Sequence, residues 1–140
     1  MTPYVHEAQY YETDQMGIIH HSNYIRWMES ARISFLDQIG IPYDQMEAAG
    51  IISPVLAVSC EYKAMVHFRD VVEVSVWIKA YNSVKLTVGY RITDQKTKKL
   101  RCEGESRHCF LTREGRPVML SKSFPEWDQK LKAAMEDTAE

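Results

Sequence analysis

Apolar positions change their spacing part-way along the chain, and the change divides it into one long helix and a run of strands. Tyr24, Trp27, Met28, Ala31, Phe35 and Ile39 follow the three- and four-residue spacing that lays one stripe along an α-helix. Ile25, Ile33 and Leu36 widen the stripe, while Arg26, Glu29, Ser30, Ser34, Asp37 and Gln38 fill much of the remaining surface. Ser22 or Asn23 suits the start, because either side chain can accept a hydrogen bond from a free N–H of the first turn. Gly40 accepts a left-handed cap and Pro42 cannot continue the ladder, so the helix ends there.

After Gly50 the period falls to two. Pro54 to Met65, Val71 to Tyr81 and Val84 to Thr93 read as strands, with Val72, Val74, Val76 and Ile78 on one face of the second and Leu86, Val88, Tyr90 and Ile92 on one face of the third. Asn82 and Ser83 leave room only for a tight turn, which makes that pair antiparallel. Asp94 to Lys99 is a second turn, and Leu100 to Thr112 a long final strand. Along it Arg101, Glu103, Glu105 and Arg107 alternate with Cys102, Gly104, Ser106 and His108, so one face carries small residues and leaves space for something bulky. The long helix is the segment with the period to fill that space. Before it, Val5 to Tyr11 reads as a first strand; after it, Pro42 to Gly50 is a short helical connection, and the tail from Phe124 is a short helix with a frayed acidic end. The pattern is α+β, an antiparallel sheet curled around a central helix.

Composition narrows the class without changing this picture. A chain of 140 residues, 45% hydrophobic and 26% charged, fits a single globular domain spanning residues 1–140. No apolar run has the length of a membrane span or a signal peptide, and the expectation is a cytoplasmic protein. Cys60, Cys102 and Cys109 are odd in number and lack C-x-x-C spacing, which argues for reduced thiols rather than disulfides or zinc. The adjacent pair His20 and His21 has no third ligand at useful spacing, and adjacent side chains are expected to diverge, so no metal is expected. A net charge of −2 gives no general attraction for nucleic acid. An anionic partner must be held locally, and by charge alone the candidates are Lys96, Lys98, Lys99 and Arg101, or Arg113, Arg116 and Lys122.

The candidate chemistry lies in YYETDQMGIIHHSNY, a polar loop that runs into the start of the long helix. Tyr10, Asp14, Gly17, His21 and Tyr24, followed by Glu29 and Arg32 on the helix, resemble in order and spacing the signature of hotdog-fold acyl-CoA thioesterases of the 4-hydroxybenzoyl-CoA thioesterase group, particularly its YbgC-like branch. The resemblance extends over nearly the whole chain and implies the hotdog fold, with the sheet wrapped around the helix. Glu12 takes the place of a second carboxylate that many members carry, while Gln15 and Met16 replace small residues, a departure that bears on substrate preference. The resemblance further implies Asp14 as the catalytic carboxylate, with His21 and Tyr10 lining the same site. It implies hydrolysis of acyl-CoA to free acid and CoA without metal or redox cofactor, CoA entering only as part of the substrate. Subunits are expected to pair edge to edge into a homodimer or homotetramer, with no nucleic-acid or membrane partner.

The residue types suit that reaction. A thioester already has a good leaving group and needs its carbonyl polarised and a nucleophile supplied. Free N–H groups at the start of the helix, around Ser22, Asn23 and Tyr24, can polarise the carbonyl as an oxyanion hole. Asp14 can attack the carbonyl itself or activate water. His21 can hydrogen-bond the thioester or position the loop, Tyr10 can anchor the loop through its hydroxyl, and Gly17 can let the backbone approach the substrate closely. Two other readings fit the fold: a non-catalytic acyl-thioester binding module, and a dehydratase acting on hydroxyacyl thioesters.

Overall fold

The computed structural model describes residues 1–138. Strands β1 (Tyr4–Glu7), β3 (Val55–Tyr62), β4 (Val71–Tyr81), β5 (Lys85–Asp94) and β6 (Leu100–Cys109) form one antiparallel sheet in the order β1-β4-β5-β6-β3. Helix α1 (Ser22–Gln38) packs on one face through Tyr24, Trp27, Met28, Ala31, Phe35 and Leu36, all buried. Val72, Val74, Ile78, Leu86, Val88, Tyr90, Ile92 and Cys102 face it, and together they form one core cluster. This is the α+β arrangement the periodicities predict.

The small-residue face of β6 receives the Met28 side chain of the helix. A Cβ built on Gly104 would stand 2.5 Å from Met28 Cε and 2.7 Å from the carbonyl oxygen of Ser59. The methionine tip can swing aside, but the Ser59 carbonyl belongs to the neighbouring strand and cannot. Gly104→Ala is therefore expected to cost about 1–3 kcal/mol, the scale of an overpacked core. Urea unfolding checks this, and a change of only a few tenths would mean the strands yield freely.

Several boundaries differ from those expected. The first strand ends at Glu7, not Tyr11, because Ala8 pairs with the 69–70 turn and Tyr10–Glu12 then form a 3-10 turn closed by the Gln9 N–H on Glu12 Oε1. The final strand does not run unbroken to Thr112. At Phe110, buried, the chain changes partners, and β7 (Leu111–Thr112) pairs with β2 (Ile51–Ile52) in a separate ribbon. The connection after α1 is helix α2 (Tyr43–Ala48). The C-terminal helix is longer than expected: α3 (Leu120–Ser123) leads directly into α4 (Pro125–Asp137).

Helix α4 is fastened to the β4–β5 turn. Asp128 accepts hydrogen bonds from Tyr81 Oη and Ser83 Oγ, both at 2.6 Å, and pairs with Lys132 at 2.9 Å. Burial works to raise its carboxyl, but these donors outweigh it and hold it down to about 2. Ser83 itself sits at a φ of 73°, with Asn82 Oδ1 accepting the N–H groups of Val84 and Lys85.

Candidate active site

The loop between β1 and α1 folds back on itself and on the far end of β3. Asp14 N–H donates to Ile18 O (2.8 Å), His20 N–H to Glu12 O (2.9 Å), and Ile19 N–H to Val66 O (2.8 Å). Beyond Tyr62 the edge strand bends, because the N–H groups of Lys63 and Ala64 both turn to the carbonyl of Arg101. Between loop and strand lies an open pocket of about 350 Å³, lined by Asp14, Ile18, Ile19, His21, Tyr24 and the segment Tyr62–Met65.

Asp14 is half-buried, and its two oxygens differ. Oδ1 accepts the N–H of Met16 at 2.7 Å and, more weakly, that of Ile18 at 3.4 Å, while Oδ2 has no hydrogen-bond partner among the described residues. The loop thus orients the carboxylate through one oxygen and leaves the other available. Gly17 makes the turn possible at a φ of 78°, and nothing lies within 4 Å of a Cβ built on it. Backbone conformation within this chain explains the glycine, where crowding does not.

Helix α1 begins at Ser22, but neither Ser22 nor Asn23 caps it. His21 occupies the cap position with no side-chain hydrogen bond to the first turn. Both expected caps are engaged elsewhere. Asn23, buried, donates from its amide to Glu12 O at 2.9 Å, which ties helix to loop. Ser22 Oγ lies 2.9 Å from His20 Nδ1, and the Ser22 N–H donates to the same nitrogen at 3.2 Å. That contact folds the His20 ring back over His21, so the two imidazoles stack at 4.2 Å instead of diverging. Among the amides of the first turn, Asn23 N–H is taken by His20 O at 3.0 Å and Tyr24 N–H is held by His21 O at only 3.3 Å. The N–H of His21 has no partner among the described residues. The amides left open or loosely held are therefore those of His21 and Tyr24, one residue to either side of the Ser22–Asn23 pair.

Tyr24 is buried between Trp27 and Tyr62, with ring centroids 5.1 and 5.0 Å away, and burial raises its hydroxyl. Tyr10 stands apart from the pocket. Its ring is 74% exposed and meets Phe68 edge-on, while its carbonyl, not its hydroxyl, accepts the Thr13 N–H and Oγ1. Glu12 is buried behind the loop with its own partners: His6 Nε2 at 2.9 Å, Gln9 N–H at 2.8 Å and Trp27 Nε1 at 2.8 Å. Burial alone would raise its carboxyl, but the bonds to His6, Gln9 and Trp27 together leave it lowered. It is a clamp between β1, loop and helix.

Tyr62, Lys63, Ala64 and Met65 are pocket residues the sequence reading missed. Val58, Cys60 and Tyr62 continue one face of β3, and Tyr62 is its last member, which is the one signal the sequence offered. Of the basic clusters, Arg101 is committed to structure, donating to Met65 O at 2.9 Å and Asp94 Oδ2 at 3.0 Å, and Arg113 donates to Glu47 O at 2.6 Å. Lys63 is the cation that lines the pocket. A larger trough of about 590 Å³ lies on the outward face of β4–β6, and none of the predicted site residues lines it.

The sequence matches the family described as the thioesterase-like superfamily over residues 9–135. The chain belongs to that superfamily. This thioesterase-like chain is 37% identical over 122 residues to the Bacillus subtilis (strain 168) protein YneP, whose name assigns it provisionally to the acyl-CoA thioesterases; the match covers 86% of this chain and 88% of that protein. It resembles the crystal structure of the DHNA-CoA thioesterase from Staphylococcus aureus at 31% identity and a TM-score of 0.92, over 96% of this chain and 91% of the other. A hypothetical protein from Thermus thermophilus matches at 30% identity and a TM-score of 0.88, over 96% and 99% of the two chains. The thioesterase's sheet wrapped on α1 is accordingly the hotdog fold.

Proposed function

We propose that Asp14 and the amides at the start of α1 carry out the thioester hydrolysis that membership of the superfamily assigns to this chain. It is an acyl-CoA thioesterase, releasing free acid and CoA. One observation carries the catalytic reading: Asp14, with an oxygen left unpartnered, shares a pocket with His21 and Tyr24 at the helix N-terminus. A thioester carbonyl held by the His21 and Tyr24 N–H groups would meet the helix dipole and preorganised donors, the arrangement that stabilises an oxyanion. Asp14 then attacks the carbonyl carbon, or takes the proton of a water that does. In either route the tetrahedral intermediate collapses by breaking the C–S bond, and the CoA thiolate leaves and is protonated by solvent. The water route yields the free acid directly; direct attack leaves an acyl anhydride on Asp14, and water then adds to it and breaks the anhydride C–O bond, releasing the acid and restoring the carboxylate. After one turnover in heavy-oxygen water, label in the Asp14 carboxylate marks the covalent route.

The remaining residues serve these two. Gly17 permits the turn that presents Asp14, Asn23 and Ser22 fix the helix start, and Tyr10 anchors the loop through its carbonyl. Lys63, which lines the pocket and pairs with the exposed Glu61 at 2.9 Å, can exchange that partner for a CoA phosphate. The chemistry calls for no metal or redox cofactor, and an acyl-CoA substrate suits the cytoplasm. No helix among the described residues is long and apolar enough to cross a membrane.

Strand β3 has a neighbour on one side only and exposes Val55, Leu56, Val58 and Tyr62 at 53, 52, 41 and 48%. An edge so apolar invites pairing, and the occupant we propose is the β3 edge of a second copy, giving a homodimer, or a tetramer of such dimers. Val58→Pro, which removes an edge N–H, is expected to lower the molecular mass read by light scattering to that of one chain. An unchanged mass would rule out this edge.

A panel of acyl-CoA esters read by thiol release tests the activity. Hydrolysis of at least one member is expected. Tight binding without hydrolysis would indicate a binding module, and hydration of crotonyl-CoA without thiol release would indicate a dehydratase.

A further inference from the structure

The start of α1 lacks a side-chain cap, yet the proposed mechanism requires its first amides to keep a fixed direction. Ser22 and Asn23 tie the helix start to the loop, and a further hold comes from outside the helix. The hydroxyl of Tyr62, the last residue of β3, donates to the carbonyl of His21 at 3.3 Å. The Tyr62 ring also packs edge-on against Tyr24 (5.0 Å, 67°) and against His21 (6.4 Å, 72°). The carbonyl it binds is the one that also accepts the Tyr24 N–H at 3.3 Å. As the cap of α1, the same carbonyl also begins the helix's own hydrogen-bond ladder, so the two long bonds compete for a crowded acceptor; the Tyr24 N–H is guided but not firmly committed, and it can turn to a substrate oxygen.

We propose that Tyr62 is a positioning residue for the reaction, its hydroxyl holding the His21 carbonyl so that the His21 and Tyr24 N–H groups face the thioester oxygen. This rests on the catalytic reading above and adds to it a residue whose hydroxyl bonds the His21 carbonyl and no atom of Asp14. Burial, and after it the neighbouring Cys60, push the Tyr62 hydroxyl up to about 12, so at neutral pH it stays protonated and remains a donor. The same geometry couples the site to the β3 edge, because a shift of the strand end moves the hydroxyl that steadies the helix.

Tyr62→Phe keeps both ring contacts and removes only a hydroxyl from a side chain that is half-exposed, so the variant folds. With an acyl-CoA that the wild type hydrolyses, kcat is expected to fall about tenfold, the scale of one neutral hydrogen bond, with KM within about twofold and the melting temperature nearly unchanged. An unchanged kcat overturns the proposal. A raised KM at constant kcat also overturns it, since that marks a substrate contact, and so does a fall in kcat that merely tracks a loss of folded protein. Asp14→Asn, run alongside, separates the two levels: if it retains turnover the catalytic reading fails, and if it is inactive while Tyr62→Phe is fully active only the role of Tyr62 fails.

Discussion

Asp14→Asn is expected to lower acyl-CoA turnover by at least ~10²-fold while leaving the fold intact, the loss expected when an acid–base or nucleophilic group is removed. The argument lies in how the carboxylate is held. An asparagine retains a side-chain oxygen that can accept the Met16 N–H as Oδ1 does now, so the loop need not move. What changes is the second position: Oδ2, unpartnered among the described residues, becomes an amide that can neither attack a carbonyl nor take a proton from water. Substrate affinity should therefore persist while kcat collapses, a pattern that belongs to a transition-state role and not to uniform binding. Thiol release under saturating substrate measures the first, and thermal unfolding checks that the second protein is folded. Turnover close to wild type would remove Asp14 from the mechanism.

The second large effect concerns stability in mild acid. His108 is fully buried on β6, its Nε2 2.7 Å from Ser106 Oγ and its Nδ1 3.4 Å from Arg32 Nη1, and Ser106 in turn bonds Tyr90 Oη at 2.7 Å. Burial first, and the Arg32 guanidinium after it, hold the imidazole down to about 4 from its ordinary 6.5. In the folded chain His108 therefore stays neutral until about pH 4, whereas in the unfolded chain it takes up a proton near 6.5. Between these values the unfolded state binds more protons, so stability is lost as pH falls through the window, in all by roughly 3 kcal/mol. Asp94 and Asp128, both held down to about 2, lose their contributions only at lower pH and do not account for it. Urea unfolding at pH 7 and pH 4.5 should reveal most of the loss in the wild type, and His108→Gln should remove that pH dependence whatever it does to stability at pH 7. An equal slope in both proteins would mean that His108 does not carry it.

The fold was legible where local period and long-range packing agree. Helix α1 and strands β4 and β5 follow the apolar stripes written in the chain, and the small face of β6 announced the helix that Gly104 now receives. Legibility failed where a distant partner decides a local outcome. The helix start depends on the His20 ring and on Glu12 O, so the cap rules pointed to Ser22 and Asn23, which are used otherwise. Glu12 resembles a second catalytic carboxylate in sequence, yet His6 and Trp27 make it a clamp, and no spacing rule encodes that triad. The β3 wall of the pocket arises because residues 18–19 pair with 66–67, far along the chain, which brings Tyr62 to His21. Asp14 and His21 could be chosen from the motif; the residues that hold them could not.

The most direct test is the structure of the Asp14→Asn protein with intact acyl-CoA bound. The account predicts the thioester oxygen about 2.7–3.1 Å from the His21 or Tyr24 nitrogen and the carbonyl carbon about 3–3.5 Å from the side chain at position 14, or from a water bound to it. A thioester seated anywhere that leaves those amides and that side chain out of reach, in every subunit of the assembly, would contradict it.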